Sequence, residues 1–125
     1  MIIYVFGNPD LPEDSLPLRL LPKLHQKFPH IDFQEKDPNE EWEASGELII
    51  LDTVQGIPAP KIFEGLEIFA AAPRVSLHDF DALANLRLLL KLGKVERVRV
   101  IGIPPDSREE EALQFVSEVC GTLTA

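Results

Sequence analysis

Two carboxylates and an imidazole, carried by Asp14, Asp52 and His78, are the residues of this chain best suited to gather one metal ion. Oxygen and nitrogen donors of this kind suit zinc, nickel or iron, and three protein ligands leave positions open for water or a substrate group. They lie far apart in the chain, unlike the paired histidines of a His-Glu-x-x-His helix, so only the fold can bring them together. Each also has a plain structural reading. Asp14 can serve as a helix cap, Asp52 as a strand-end acid bonding loop amides, and His78 as a polar group at a helix start.

The elements that would position them begin at the amino terminus. Ile2 to Phe6 is a short β-branched and aromatic run closing on Gly7-Asn8-Pro9-Asp10-Leu11-Pro12-Glu13-Asp14-Ser15. That pattern predicts a buried strand ending in a tight loop, with Asp14 or Ser15 capping the helix that follows. The acidic pair Glu13 and Asp14 then falls on the rim where open α/β sheets bind ligands. Glu47 to Asp52 repeats the logic, since Leu48, Ile49, Ile50 and Leu51 close on an acid. A continuous apolar run of this length suits a strand buried on both faces. Ser76-Leu77-His78-Asp79-Phe80-Asp81 opens a helix with an apolar face of Phe80, Leu83, Leu86, Leu89, Leu90 and Leu92, ended by Gly93. All three candidates are thereby expected at one rim.

The remaining segments complete the sheet and its cover. Leu16, Leu18, Leu20, Leu21, Leu24 and Phe28 recur at helical spacing. Pro17 fits the first turn, Pro22 predicts a kink or a late start, and Pro29 ends the helix. Ile31 and Phe33 alternate with Asp32 and Gln34 as an edge strand does. Glu40, Glu41 and Glu43 around Trp42 read as a solvated acidic face. Lys61 to Ala72 predicts one or two short strands around Glu64-Gly65, and the connection from Asp52, too short for a crossover helix, favours an antiparallel run of the first relative to its predecessor. Val95, Val98, Val100 and Ile101 form a last strand stopped at Gly102-Ile103-Pro104-Pro105, and a final acidic-headed helix starts at Asp106 or Ser107. This order predicts an α/β fold, a three-layer α/β/α sandwich with a mixed, mostly parallel sheet of about five strands.

Composition limits the function classes. With 125 residues, 45% hydrophobic and 26% charged, the chain is expected to form a single domain, 1–125, that needs no staples. Twelve basic against 21 acidic residues give a net charge of −9, which disfavours nucleic acid and anionic membranes as partners. No apolar run approaches a membrane span and no cleavable leader is visible, so no membrane insertion and a cytoplasmic location are expected. The single cysteine, Cys120, lies on the apolar side of the final helix and reads as a small core residue, which excludes a disulfide framework. Ser15 and Ser76 lack a recognisable catalytic setting. The first loop has no repeated glycines to cradle phosphate, which weakens a nucleotide-binding reading.

The ordered set of motifs resembles the maturation endopeptidases of nickel-iron hydrogenases. Gly7-Asn8 and the paired acid Glu13-Asp14 match the opening of that family's pattern. Asp52 in Ile50-Leu51-Asp52 matches its strand-end Asp, and Ser76-Leu77-His78 its Ser-x-His. Val98 to Pro104 resembles its last strand and Gly-Ile-x-Pro ending. The chain departs from the pattern after the paired acid, where Ser15-Leu16-Pro17 stands in place of Gly-x-Gly.

The resemblance implies an endopeptidase that removes the carboxyl-terminal extension of a hydrogenase large-subunit precursor once nickel has been inserted. Asp14, Asp52 and His78 would be its metal-contacting and catalytic residues, and the nickel would arrive with the substrate. Another divalent cation could occupy the site in isolation. Either a metal-bound water attacks, or a carboxylate acts as general base while the metal polarises the carbonyl. The alternative is a non-catalytic, metal-gated binding protein or assembly factor on the same fold.

Overall fold

The computed structural model describes residues 1–7, 9–12, 15–36, 46–54, 56–64, 93 and 95–123. Asp14, His78, the helix expected from Ser76 and the acidic stretch around Trp42 lie outside the described residues. Among the described residues the elements are β1 (Ile2–Val5), α1 (Leu16–Lys27), β2 (Asp32–Glu35), β3 (Gly46–Thr53), β4 (Lys61–Glu64), β5 (Val95–Ile103) and α2 (Glu109–Leu123).

The strands form one sheet in the order β2-β1-β3-β5-β4. β1 pairs in parallel with both β2 and β3, and β3 pairs in parallel with β5. β4 is antiparallel, so the sheet is mixed and mostly parallel, as the sequence predicts. β4 does run opposite to its predecessor, yet it is not that strand's neighbour. β5 enters between them, pairing with β3 on one side and β4 on the other. Sequence order alone cannot show such an insertion.

The apolar alternation along each strand divides the core between two faces. Ile3, Val5, Ile49, Leu51, Ile101 and Ile103 share one cluster with Leu16, Leu20 and Leu24 of α1 and with Ala112, Val116 and Cys120 of α2. Both helices therefore pack on the same face. Tyr4, Ile50, Val98 and Val100 alternate to the opposite face and are equally buried, so that face is covered as well. Burying one such side chain contributes about 1.5–3 kcal/mol, and the central strands β1 and β3 are buried on both faces.

Local chemistry at the helix ends differs in detail from expectation. Ser15 is the N-cap of α1, but its side chain makes no cap bond to a helix amide. Its Oγ donates instead to the Pro12 carbonyl at 3.0 Å, closing the loop that leads into the helix. The helix starts at Leu16 and runs without interruption through Pro22, which is exposed. An outward proline loses one backbone bond on the side where solvent reaches, so the helix tolerates it. His25 and Lys27 occupy the last turn, where positive charge meets the helix's negative end. β5 continues through Gly102 to Ile103, two residues beyond the expected stop, because both remain paired with β3. α2 begins with Glu109, Glu110 and Glu111, acids favoured at a helix amino end.

Candidate active site

The carboxyl ends of β1 and β3 are neighbours, and the chain leaves them in different directions. From β1 it passes through α1 to β2 on one side of the sheet; from β3 it continues to β4 and β5 on the other. In an open α/β sheet such a divergence is the usual place for a ligand. Asp52 stands there, in the next-to-last position of β3.

Asp52 is 3% exposed, and with Thr53 it is one of two buried polar residues among those described. Burying a carboxylate is costly unless hydrogen bonds compensate. The Thr53 backbone N–H donates to Asp52 Oδ1 at 2.8 Å, a charge-assisted bond that fixes the carboxylate at the strand end. One of the plain readings of Asp52, an acid bonding a loop amide, is thus realised in part, since the amide belongs to the strand's own last residue. Strand alternation sends Asp52 to the face opposite α1 and α2, because Leu51 on its amino side packs in the helix-bearing cluster.

The register across the sheet defines what surrounds it. Phe6 N–H donates to the Leu51 carbonyl at 2.9 Å, extending the β1–β3 ladder and setting Phe6 beside Asp52. Lys36 N–H donates to the Val5 carbonyl at 3.0 Å, which sets Lys36 beside Phe6. On the other side Asp52 pairs with Gly102, and Gly102 pairs with Lys61. One transverse row therefore reads Lys36, Phe6, Asp52, Gly102, Lys61. Gly102 has a packing reason to be glycine: a Cβ there would lie 2.8 Å from Val54 Cγ2 and 3.0 Å from Phe63 Cε2. The missing side chain lets an apolar wall close against the acid.

Both lysines of the row rest on aromatic rings of the row beneath. Lys36 Nζ lies 5.9 Å from the Tyr4 ring centroid, and Lys61 Nζ lies 5.0 Å from that of Phe63. These are cation–π distances. Neither lysine is singled out by sequence patterning. Lys36 extends the alternation of β2 by one residue, and Lys61 joins the row only because β4 pairs with β5.

Of the three candidates Asp14, Asp52 and His78, Asp52 is the one the structure describes. Among the described residues no group of three or more His, Cys, Asp or Glu side chains could hold a metal ion. The other ionic features lie elsewhere. Arg97 Nη2 donates to Glu64 Oε1 at 2.9 Å and Arg99 pairs with Glu47, toward the amino ends of β3 and β5. A surface groove of about 430 Å³ between α1 and α2, lined by Lys27, Leu113 and Ser117 among others, sits on the helical side, away from Asp52.

Cys120 is fully buried among the helix-face core residues. Burial pushes its thiol up to about 11, so it is neutral and unsuited to nucleophilic attack at neutral pH. The expectation of a small core residue is met.

No family model matches the chain, and no curated protein sequence does. Among solved structures, the hydrogenase maturating endopeptidase HybD from E. coli superposes with a TM-score of 0.67 at 18% identity, covering 97% of this chain and 92% of that one. The solution structure of an endopeptidase from Escherichia coli gives a TM-score of 0.62 at 17% identity, covering 93% of this chain and 90% of that one. The resemblance read from the sequence is thus matched in three dimensions. This chain has the fold of that hydrogenase maturating endopeptidase over nearly its whole length.

Proposed function

We propose that this protein is an endopeptidase that removes the carboxyl-terminal extension of a nickel-iron hydrogenase large-subunit precursor after nickel insertion. The observation that carries the reading is the position of Asp52, a buried carboxylate at the carboxyl end of the central strand, in a fold shared with a hydrogenase maturating endopeptidase. Asp14 precedes Ser15 in the segment leaving β1, and His78 falls between β4 and β5. In this reading the three side chains meet the nickel carried by the substrate. Carboxylate and imidazole donors fit a divalent ion of that kind.

The metal centre belongs to the precursor, so the protein's own task is recognition and orientation. When present, the ion supplies Lewis acidity at the scissile peptide. Asp52, held by the Thr53 amide, offers a fixed anionic contact that aligns the peptide beside it, and alignment of this sort lowers the barrier by restricting the reactants. The hydrophobic packing of Phe6, Val54 and Phe63 around the row keeps the acid partly shielded from water, which strengthens its interaction with a cation.

One observation favours a second reading, a metal-gated binding protein or assembly factor that does not cut. α1 opens with Leu16 and Pro17 buried in the core, so its amino end is built from packed side chains where a glycine-rich entry would present free amides. Incubating the purified protein with nickel-loaded and metal-free precursor separates the two. The endopeptidase reading expects fragment release from the loaded form alone, and its loss in Asp14→Asn, Asp52→Asn and His78→Ala with melting temperatures retained. Complex formation without release by the unmodified protein would select the second reading.

A further inference from the structure

The chain that joins β3 to β4 has to pass the end of β5, because β5 lies between those two strands in the sheet. In that connection Gly56, Ile57, Pro58, Ala59 and Pro60 are neither helix nor strand. Ile57 and Pro60 are half-buried and Pro58 and Ala59 exposed, so an apolar strip borders the carboxyl rim on the side of Asp52 that faces β4. Its two prolines fix the local backbone and supply no N–H. A polypeptide lying along the strip therefore meets apolar surface more than backbone donors, and strand addition is disfavoured there.

The strip ends on a cation. Lys61 is exposed, its Nζ lies 5.0 Å from the Phe63 ring centroid, and no carboxylate among the described residues pairs with it. Acids outnumber bases by 21 to 12 in this chain, and the neighbouring Arg97 and Arg99 are both tied to glutamates. Lys61 shares a face with Asp52. Gly102 stands between them in the row, a Cβ on it would point at Phe63, and Phe63 is two residues from Lys61 along β4. Adjacent strands are about 4.8 Å apart, so the Asp52 and Lys61 backbones are separated by roughly 10 Å, which an extended polypeptide covers in roughly three residues. One ammonium near a carboxylate, in a chain of net charge −9, holds a polyanion poorly. A mostly apolar segment with one acid suits both the strip and its end.

We infer that the segment from Ile57 to Lys61 is a specificity wall for the polypeptide that reaches Asp52, with Ile57, Pro58 and Pro60 against its apolar side chains and Lys61 receiving one acidic side chain roughly three residues from the peptide over Asp52. The inference rests on the endopeptidase reading in that this polypeptide is the one to be cut. An exposed ion pair of this sort contributes modestly, is screened by salt and acts on capture more than on chemistry.

Two measurements test it. A fluorescent nine-residue peptide with blocked ends, a central Glu and two Leu on each side of it is compared by anisotropy with twins carrying Gln or Lys at the centre, and with one carrying Ser in place of every Leu. At low salt the Glu peptide is expected to bind at least threefold tighter than the Gln twin, and the Ser twin to bind more weakly than either. Lys61→Gln should abolish the Glu preference, Lys61→Arg should keep it, and Lys61→Glu should turn it toward the Lys twin, all with unchanged melting temperatures. Ile57→Ser should weaken the Leu peptides alike and leave the charge preference in place. On nickel-loaded precursor, Lys61→Gln should raise KM at least threefold with kcat little changed. Failure of the Glu peptide to bind, equal binding of the Glu and Gln peptides, or a Glu preference that survives Lys61→Gln overturns the inference even if the precursor is cut. Peptide binding that follows Lys61 in a protein that leaves nickel-loaded precursor intact would instead sink the endopeptidase reading and keep the wall.

Discussion

Asp52 and Gly102 stand opposite each other near the carboxyl ends of β3 and β5, and the side chain that Gly102 lacks is what lets Val54 and Phe63 close beside the acid. A carboxylate and an apolar wall thus share one position of the sheet. The arrangement depends on both residues.

Replacing Gly102 by Ala should therefore disturb the rim from within. The new methyl would fall 2.8 Å from Val54 Cγ2, too close without displacement. Overpacking of this sort costs about 1–3 kcal/mol. Urea denaturation of Gly102→Ala is expected to show a lowered midpoint with an unchanged slope. A midpoint equal to that of the unmodified protein would mean the wall is looser than described.

The sequence made much of this framework legible. β1 and β3 announce themselves as apolar runs, Pro29 marks the end of α1, and Asp52 is identified as a strand-end acid from Leu48 to Asp52 alone. What escaped it is lateral. Whether β4 pairs with β3 or with β5 depends on pairings distant in sequence, and so does the row that links Lys36 to Lys61. Ser15 is the N-cap, one of the two positions that the sequence offers, but its hydroxyl turns to the Pro12 carbonyl and not to a helix amide, a local choice that Asp, Ser and Asn side chains all have at a helix start. Gly102 looks like a strand terminator because glycine weakens strands, and here it is retained inside one by close packing.

Cys120 provides a test of burial. Its thiol should resist alkylation by iodoacetamide at pH 8 in the folded protein and react fully in denaturant. The ordinary thiol value is 9.0 and burial raises it to about 11, so the unfolded chain releases the proton first as pH rises. Stability from this group is complete below about pH 9 and is lost between 9 and 11. Cys120→Ala should remove that alkaline decline, keep cleavage intact and cost about 1 kcal/mol at neutral pH. Rapid labelling of the native thiol would contradict the core placement.

Glu64 titrates in the opposite sense. The hydrogen bond from Arg97 holds its carboxyl below the ordinary value of 4.5, with the charges of Arg97 and Arg99 acting in the same direction. The folded protein thus keeps the carboxylate ionised where the unfolded chain begins to take up a proton. The pair's contribution is present above the ordinary carboxylate range and disappears as pH falls through the lowered value. Both side chains are about half exposed, 55% for Arg97 and 53% for Glu64, so salt should weaken the effect. Carbon-detected NMR titration of Glu64 is expected to move toward 4.5 in Arg97→Gln. An unchanged titration would show that the bond does not persist in solution.

Asp52→Asn is the substitution that bears on everything proposed for the site. The amide keeps the size of the side chain and an oxygen to accept the Thr53 N–H, so the fold should change in stability by about 1 kcal/mol or less. What it loses is the negative charge. The measurement is mass spectrometry of a purified, nickel-loaded hydrogenase large-subunit precursor incubated with the unmodified protein or with Asp52→Asn. A single carboxyl-terminal fragment is expected from the first and a rate at least a hundredfold lower from the second, with both proteins melting alike. Undiminished fragment release by Asp52→Asn, or an intact precursor after incubation with the unmodified protein, would contradict it.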